Sequence, residues 1–332
     1  MKALVTGATG FIGSQVVDYL LERGYEVVCT VRKTSKTRWL DGKPVELVEA
    51  PLSDIEALKK AILGGGKPVD YIFHIAGLTA AKNDDVFMKV NRDGVKNMLR
   101  AIDESGVKLK RYLHCSSLTV SGPAKSLEEP ITEDMPYNPI TGYGRSKKAG
   151  EDEVRKYMNK FPVTIVRPHA VYGPRDEDIY GIFKAVNMGL GTMIGCKPKY
   201  VSLVHSFDLA RGIIDAAESP NTIGEAYNLA SEHPYTWDEV MPAMKAALNK
   251  KIYVPVHIPH FLVLSLAWIS GEAAKLAPKP WVFNYDKGID FIQKYWIASS
   301  EKAKRDFGYK QTISLEEGMK ITADWYKEHK WL

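Results

Sequence analysis

The feature that most constrains the fold is a short apolar run that passes through a glycine-rich turn into a helix. Residues 2–6 form this run, and residues 14–23 carry a helical periodicity that Gly24 closes. A second apolar run follows at 26–31, and strand and helix patterns alternate from there to Arg167. Because such alternation is typical of parallel strands with helices on both faces, the sequence predicts an α/β fold with a doubly wound parallel sheet.

The composition of the chain changes after residue 172, where glycine, proline and aromatic residues become more frequent and the alternation of strand and helix patterns weakens. A helical run that ends near 217 indicates a return to the first domain, and residues 225–230 are interpreted as a strand of the second lobe. We therefore predict a discontinuous division of the chain. The first domain takes 1–172 and 203–218, and a smaller α+β lobe takes 173–202 and 219–332.

Composition excludes several classes of protein. Hydrophobic residues make up 45% and charged residues 26% of the 332 residues, as in ordinary globular proteins. The formal net charge of +5 comes from basic residues scattered in pairs, so nucleic acid is not predicted as a partner. Three distant cysteines do not suggest a disulfide framework, and the chain opens on a strand pattern rather than a signal peptide. We therefore expect the protein to be cytoplasmic.

The glycines of the first turn indicate a phosphate-binding site. A tight turn, close approach of backbone to a diphosphate and close packing of helix on strand each require a residue without a side chain. The first N–H groups of the helix add a partial positive charge. Because the triplet lies between the first strand and first helix of a βαβ unit, it predicts a dinucleotide site at Gly7, Gly10 and Gly13.

The end of the second predicted strand indicates which dinucleotide is bound. NAD sites usually carry a carboxylate there for the 2′-hydroxyl of the ribose, about 20 residues after the turn. This chain has Thr30-Val31-Arg32-Lys33 instead. A guanidinium and an ammonium suit a 2′-phosphate, so we predict NADP, held by Arg32 and Lys33, with NAD less favoured. Solvated charges on a loop are the alternative interpretation.

Tyr143 and Lys147 stand four residues apart, which puts a phenol and an ammonium on one face of a predicted helix. The pKa of a free tyrosine is about 10, and a fixed cation draws it towards neutrality. Tyr143 could then exchange a proton with a ketone or alcohol oxygen. Such pairs are common on surface helices, so the neighbouring serine-rich segment matters. Residues 114–122 follow a predicted buried strand, at the sheet edge where open α/β proteins bind ligands.

At these residues the chain resembles the extended short-chain dehydrogenase/reductase family, over nearly its whole length. The turn at 7–13 is similar to the family's cofactor turn, and Tyr143 with Lys147 to its active pair. The resemblance implies that Tyr143 is the acid/base, while Lys147 lowers the pKa of Tyr143 and binds the nicotinamide ribose. It implies that Ser117, with Ser116 as the fallback, orients the substrate oxygen. A homodimer built on helices of the cofactor domain is also implied.

The resemblance extends to further site residues. The residues expected to contact the cofactor are Gly7, Thr9, Gly10, Phe11, Ile12, Gly13, Arg32, Lys33, Leu52, Ala76, Gly77, Tyr143, Lys147 and Pro168. Those expected to contact the substrate are Thr79, Ser117, His169 and Ala170. Many family members place an aspartate before a leucine after the third strand to bind adenine, but this chain has Pro51 before Leu52, with Asp54 close by.

The same resemblance bears on the substrate. Nucleotide-sugar enzymes of the family usually carry an asparagine for the diphosphate where this chain has Ala170. The carboxyl-terminal third resembles the 3β-hydroxysteroid and sterol dehydrogenase branch, and the end of the second strand resembles dihydroflavonol reductases. We therefore expect an NADP(H)-dependent oxidoreductase that interconverts a ketone and a secondary alcohol on a bulky apolar molecule, sterol-, sphingoid- or flavonoid-like. A nucleotide-sugar 4-epimerase or dehydratase with tightly bound NAD(P), and a non-catalytic NADP-sensing protein, are the alternatives.

One apolar stretch, at 258–276, is open to three interpretations. Its uninterrupted run is shorter than the ~20 residues of a spanning helix. It could line a substrate pocket, lie in the face of a membrane as an interfacial helix, or form a core helix of the lobe. His257 and His260 lie nearby without a further paired ligand, so no metal site is predicted.

Overall fold

The computed structural model describes residues 1–251, 253–276 and 285–332. Its strands, in chain order, are β1 (Lys2–Thr6), β2 (Glu26–Val31), β3 (Val45–Glu49), β4 (Tyr71–His74), β5 (Arg111–Cys115), β6 (Val163–Pro168), β7 (Ala170–Tyr172), β8 (Leu190–Ile194), β9 (Tyr200–Val201), β10 (Leu203–His205), β11 (Glu225–Leu229), β12 (Tyr235–Thr236), β13 (Val254–Ile258) and β14 (Tyr295–Trp296). Its α-helices are α1 (Phe11–Glu22), α2 (Ile55–Leu63), α3 (Asp84–Met88), α4 (Gly94–Ser105), α5 (Gly142–Arg155), α6 (Tyr180–Asn187), α7 (Ser206–Glu218), α8 (Trp237–Ala247), α9 (His260–Leu276), α10 (Tyr285–Ile292), α11 (Glu301–Phe307) and α12 (Leu315–Glu328).

A seven-stranded parallel sheet organises the first domain, with strand order β3–β2–β1–β4–β5–β6–β11. Every residue of β1 is buried, because helices cover both faces of the sheet, and this explains its continuous apolar run. The order reverses between β1 and β4, so a crevice opens at the carboxyl ends of these strands. The predicted doubly wound parallel sheet is confirmed.

Separate apolar cores fill the two faces of the sheet. On one face α1 and α7 pack through Val16, Leu20 and Ile213, among others. On the other face α2, α4 and α5 contribute residues such as Leu58 and Met98. The strands of the sheet are therefore held between two helical layers, and their carboxyl ends form a fixed edge for the site.

The predicted division of the chain is wrong for residues 225–229. This strand, β11, does not belong to the smaller lobe but pairs in parallel with β6 as an outer strand of the large sheet. The preceding helix, α7, returns the chain across the sheet, so the following strand can add to its edge. Ala303 of α11 and Tyr309 also pack in the core of the first domain, although the sequence analysis assigned them to the lobe.

The smaller lobe is built around α6, α8 and α12, whose apolar faces share a core with residues such as Phe183, Met244 and Tyr326. Short two- and three-stranded sheets complete it, including the parallel pair β8–β13. Within the described residues, no helix is both long and apolar enough to cross a bilayer. β7 continues directly from β6, so the lobe begins at the carboxyl edge of the large sheet.

Candidate active site

The glycine-rich turn adopts a backbone that side chains would block. Gly7 has a φ of +72°, and a Cβ there would lie 2.7 Å from the backbone nitrogen of Ala76. A Cβ at Gly13 would collide with the carbonyl oxygen of Gly7. Gly10 precedes α1 without a side chain to cap it, so the first N–H groups of the helix stay available for phosphate oxygens. The turn therefore fits the diphosphate of a nicotinamide dinucleotide.

One continuous cavity runs along the carboxyl edge of the sheet and contains nearly all the predicted cofactor residues. Its border includes Gly7, Thr9, Gly10, Phe11, Ile12, Gly13, Arg32, Leu52, Ala76, Gly77, Tyr143, Lys147 and Pro168. Lys33 does not border it, and its side chain is exposed. Lys33 lies in the turn that follows β2, where the N–H of Ser35 donates a 2.8 Å hydrogen bond to the carbonyl oxygen of Arg32.

The loop after β2 brings further polar groups to the cavity beside Arg32. The hydroxyl of Ser35 accepts a hydrogen bond of 2.9 Å from the backbone N–H of Arg32, and Arg38 borders the same space. The Arg38 guanidinium lies 4.3 Å from the ring centre of Trp39 and forms an ion pair of 2.7 Å with Glu177. Ser35 and Arg38 were not predicted as site residues, because this loop has no periodicity that shows which way their side chains point.

Leu52, expected to contact the cofactor, borders the cavity beside Ser53. Asn97 fixes the backbone there, since its amide donates a 2.8 Å hydrogen bond to the carbonyl oxygen of Leu52. Asp54 faces elsewhere: its carboxylate accepts a 3.0 Å hydrogen bond from the N–H of Ala57 and caps α2. Asp54 therefore does not take the place of the family's aspartate at this point.

The start of α5 is fixed by two acceptors, and this positions the predicted acid/base pair. The Thr141 side chain accepts a hydrogen bond from the N–H of Gly144 and so caps the first turn of the helix. Asp286 of α10, in the lobe, accepts a 2.7 Å hydrogen bond from the N–H of Gly142. Tyr143, half-buried, and Lys147, buried, then lie one turn apart on α5, and both border the cavity.

Ser117 and Tyr143 face each other across the end of β5. Ser117 accepts hydrogen bonds from the backbone N–H and the hydroxyl of Thr119, over 3.3 Å and 3.0 Å. Its own O–H is thereby left to donate to Tyr143 or to a substrate oxygen. The Tyr143 ring packs against Phe87, with 5.9 Å between ring centres. Ser116 also borders the cavity, but the bond to Tyr143 belongs to Ser117.

Burial dominates the electrostatics of Tyr143 and Lys147. It raises the pKa of Tyr143, and the hydrogen bond from Ser117 opposes this only in part. It lowers the pKa of Lys147, whose Nζ donates a 2.7 Å hydrogen bond to the carbonyl oxygen of Cys115. The expected lowering of the Tyr143 pKa by Lys147 is therefore not what this arrangement shows. The raised pKa favours the protonated phenol of Tyr143.

Asn91 ties the end of β4 to α5. It lies in a π-helical turn between α3 and α4. Its side chain accepts from the N–H of Leu78 over 2.8 Å and donates to the carbonyl oxygen of Leu78 over 3.0 Å. It also donates to the hydroxyl of Ser146, which in turn donates to the carbonyl oxygen of Tyr143. The segment with Ala76 is thus held at a fixed distance from the acid/base pair.

The predicted substrate residues border the same cavity, beyond Tyr143. Thr79 and Ala170 are exposed there, and His169 is buried with no partner for Nε2 among the described residues. Burial lowers the pKa of His169 to about 3, so its ring stays neutral. No described group of three or more His, Cys, Asp or Glu residues could hold a metal ion.

The family model of the NAD dependent epimerase/dehydratase family matches residues 3–230. The chain belongs to this family. It is 26% identical over 328 residues to a ceramide reductase of Caulobacter vibrioides, covering 99% of this chain and 95% of the relative. It is 26% identical over 336 residues to a mouse sterol-4-alpha-carboxylate 3-dehydrogenase, decarboxylating, covering 97% and 90%. A UDP-glucose 4-epimerase structure from Thermotoga maritima shares the fold, with a TM-score of 0.80 at 23% identity, covering 99% and 100%.

Family membership confirms the resemblance to extended short-chain dehydrogenases/reductases, and the chain is an NAD(P)-dependent enzyme. The relatives include oxidoreductases as well as an epimerase. The family therefore establishes the cofactor class and the fold, and the substrate has to be argued from the cavity itself.

Proposed function

We propose that this enzyme uses NADP(H) to interconvert a ketone and a secondary alcohol on a bulky, largely apolar substrate of the sterol, sphingoid or flavonoid kind. The observation that carries the proposal is the cavity, about 1290 Å³, which extends from Tyr143 into the lobe. Apolar side chains line much of this extension, including Met193, Trp237, Met241, Ile258, Val263, Leu266 and Phe291, and the charged residues Asp178, Lys199, Lys287 and Asp290 also border it. Apolar walls of this extent favour a lipid-like molecule over a sugar.

The choice of NADP rests on Arg32. Arg32 borders the cavity, as does Arg38 with its partner Glu177, and among the described residues the end of β2 carries no carboxylate. An NAD site would use such a carboxylate to bind the 2′-hydroxyl, whereas guanidinium groups bind a 2′-phosphate. Two arginines and the Ser35 hydroxyl therefore suit NADP better than NAD.

The proposed mechanism divides the work among three side chains. When bound, the reduced nicotinamide supplies the hydride. Ser117 donates a hydrogen bond to the ketone oxygen and orients it, and Tyr143 gives its phenolic proton to the oxygen as negative charge develops there. Lys147 holds the nicotinamide ribose and stabilises the resulting phenolate. In the direction of oxidation, the phenolate of Tyr143 takes the proton from the hydroxyl group of the alcohol.

Absorbance at the nicotinamide band tests the proposal. NADPH would be incubated with 3-ketosteroids, 3-keto-sphingoids, flavanonols and UDP-sugars, and loss of absorbance with one apolar ketone is expected. Tyr143→Phe should abolish this loss while NADPH fluorescence still reports binding. If Tyr143→Phe turns over as fast as the parent, the mechanism is wrong; if no apolar ketone reacts, the substrate class is wrong.

A nucleotide-sugar epimerase is the second candidate, and one observation favours it. Lys199 borders the lobe part of the cavity and is buried, with its Nζ donating to the carbonyl oxygens of Ile292 and Gln293. A buried ammonium could bind a diphosphate. Interconversion of UDP-glucose and UDP-galactose without net change in NAD(P)H would support this candidate, and its loss in Lys199→Met would tie the activity to this group.

A further inference from the structure

We propose that the outer face of α9 binds to the surface of a lipid bilayer, so that the protein docks on a membrane beside the lobe part of its cavity. The proposal uses the apolar substrate proposed above only to explain why docking would be useful. Docking itself rests on the exposure of α9, and it is tested without cofactor or substrate.

The exposed side of α9 carries five large apolar side chains, together with Ser265 and Glu272. Phe261 is 66% exposed, Trp268 58% and Ile269 55%, and Leu262 and Leu266 are also exposed. At 100° per residue these five side chains lie within one broad face of the helix. Single exposed apolar residues are ordinary, but several large ones on one helix mark an interaction surface.

The opposite side of α9 is already packed, so the helix cannot rotate to bury these residues. Val263 and Ala267 are buried. A Cβ on Gly288 of α10 would lie 2.8 Å from the Cβ of Ala267, which shows how closely the two helices approach. The exposure of these side chains is therefore set by the packing of α9 on α10.

The strand before α9 extends the same surface and adds positive charge. β13 is exposed along most of its length, including Val254 and Val256, and it leads through Pro259 into the helix. Lys250 and Lys251 precede β13. Lys197 follows β8, the strand that pairs with β13. Lysines at both ends of an apolar strand complement an anionic lipid surface better than they complement a second copy of a chain with net charge +5.

The cavity gives a second reason to choose a bilayer rather than a second copy. Leu266 borders the cavity and is also 52% exposed, so α9 is at once a wall of the substrate site and part of the outer surface. A second copy seated on α9 would cover this wall. A bilayer on the same face would put a lipid-like substrate next to the cavity without passage through bulk water.

Vesicle co-sedimentation of the full chain tests the proposal. The probes are phosphatidylcholine vesicles, alone and mixed with phosphatidylglycerol. The parent protein should bind the mixed vesicles, and added salt should weaken binding. The variant Phe261→Ser/Trp268→Ser/Ile269→Ser should lose about tenfold or more in vesicle affinity, because each side chain leaves the apolar region. The matched control is Leu47→Ser/Ile223→Ser, which changes exposed apolar residues on the first domain and should bind like the parent.

Two results would overturn the proposal. The first is a parent protein that does not bind mixed vesicles, or a triple variant that binds as well as the parent. The second is a triple variant that changes from dimer to monomer in light scattering, since α9 would then be an interface between copies. Circular dichroism of the triple variant confirms that it is folded. Because binding is measured without turnover, failure of the ketone-reduction assay leaves this test intact.

Discussion

Lys147 donates a 2.7 Å hydrogen bond from Nζ to the carbonyl oxygen of Cys115, the last residue of β5. This bond joins the helix that carries Tyr143 to the strand end that carries Ser117. Burial lowers the pKa of Lys147, and the charge of Glu151, one turn further along α5, opposes this shift. This one contact between helix and sheet therefore helps to fix Ser117, Tyr143 and Lys147 relative to one another.

Lys147→Ala should therefore lower kcat/KM for the ketone by about 10²- to 10⁴-fold and raise the KM for NADPH, because both the cation and the helix–sheet contact are lost. Steady-state kinetics would measure both constants. Lys148→Ala is the matched control, since Lys148 pairs with Asp152 at the surface over 2.7 Å and should change neither. Equal losses in the two variants would contradict the assignment.

The raised pKa of Tyr143 predicts different pH profiles for the two directions of the reaction. Ketone reduction needs the protonated phenol, which persists to high pH because burial disfavours the phenolate. The reduction rate should therefore be flat across neutral pH, whereas alcohol oxidation should rise with pH. Profiles of kcat/KM in both directions check this. A reduction rate that halves near pH 7 would show that Tyr143 ionises far earlier than its burial implies.

Arg32→Asp should shift the preference from NADPH towards NADH, because it replaces the 2′-phosphate partner with a carboxylate for the 2′-hydroxyl. The ratio of kcat/KM for the two cofactors measures the shift, and we expect about tenfold or more. Lys33→Ala is the control: its side chain does not border the cavity, so the ratio should stay as in the parent. The prediction fails if both variants keep the ratio of the parent.

Patterns within a few residues of each other were enough to predict strands β1 to β6 of the large sheet, the glycine turn and the spacing of Tyr143 and Lys147. Each depends on local periodicity or on contacts inside one βαβ unit. Asp286 could not be predicted in this way, because it caps Gly142 from 144 residues away. β11 was assigned to the wrong domain for a similar reason. Its apolar run fits a strand of either domain, and only its pairing with β6 assigns it to the large sheet.

The buried ion pair beneath the site predicts a large loss of stability when one partner is neutralised. Glu151 and Arg167 are both almost fully buried and form two hydrogen bonds, of 2.9 Å and 2.8 Å. Tyr137 donates a further 2.7 Å hydrogen bond to Glu151. Glu151→Gln would leave the Arg167 guanidinium buried without a counter-charge, at a cost of about 3–5 kcal/mol in the free energy of unfolding.

Urea unfolding would measure this loss. The matched control is Asp152→Asn on the same helix, whose exposed pair with Lys148 should contribute less than about 1 kcal/mol. The double variant Glu151→Leu/Arg167→Met should recover part of the loss, because apolar groups leave no charge unpaired. A single variant Glu151→Gln as stable as the parent would mean that the pair is not desolvated.

Buried histidines predict that the protein loses stability in acid. Burial lowers the pKa of His74 to about 3 and that of His205 to about 4, and it lowers the pKa of His114 well below the usual value. An unfolded chain would protonate these rings near pH 6.5, so it binds more protons than the folded chain below that pH. Their contribution is therefore fully present above pH 6.5 and is lost as the pH falls towards the folded-state values.

Each such histidine should reduce the free energy of unfolding by up to about 1.4 kcal/mol per pH unit below 6.5. His114→Leu tests this directly, because neither ring nitrogen of His114 has a partner among the described residues. Urea unfolding between pH 7.5 and 5 should give a shallower pH dependence for His114→Leu than for the parent. His257→Asn, on the exposed strand β13, should keep the parent's slope, and an equal slope in all three proteins would contradict the prediction.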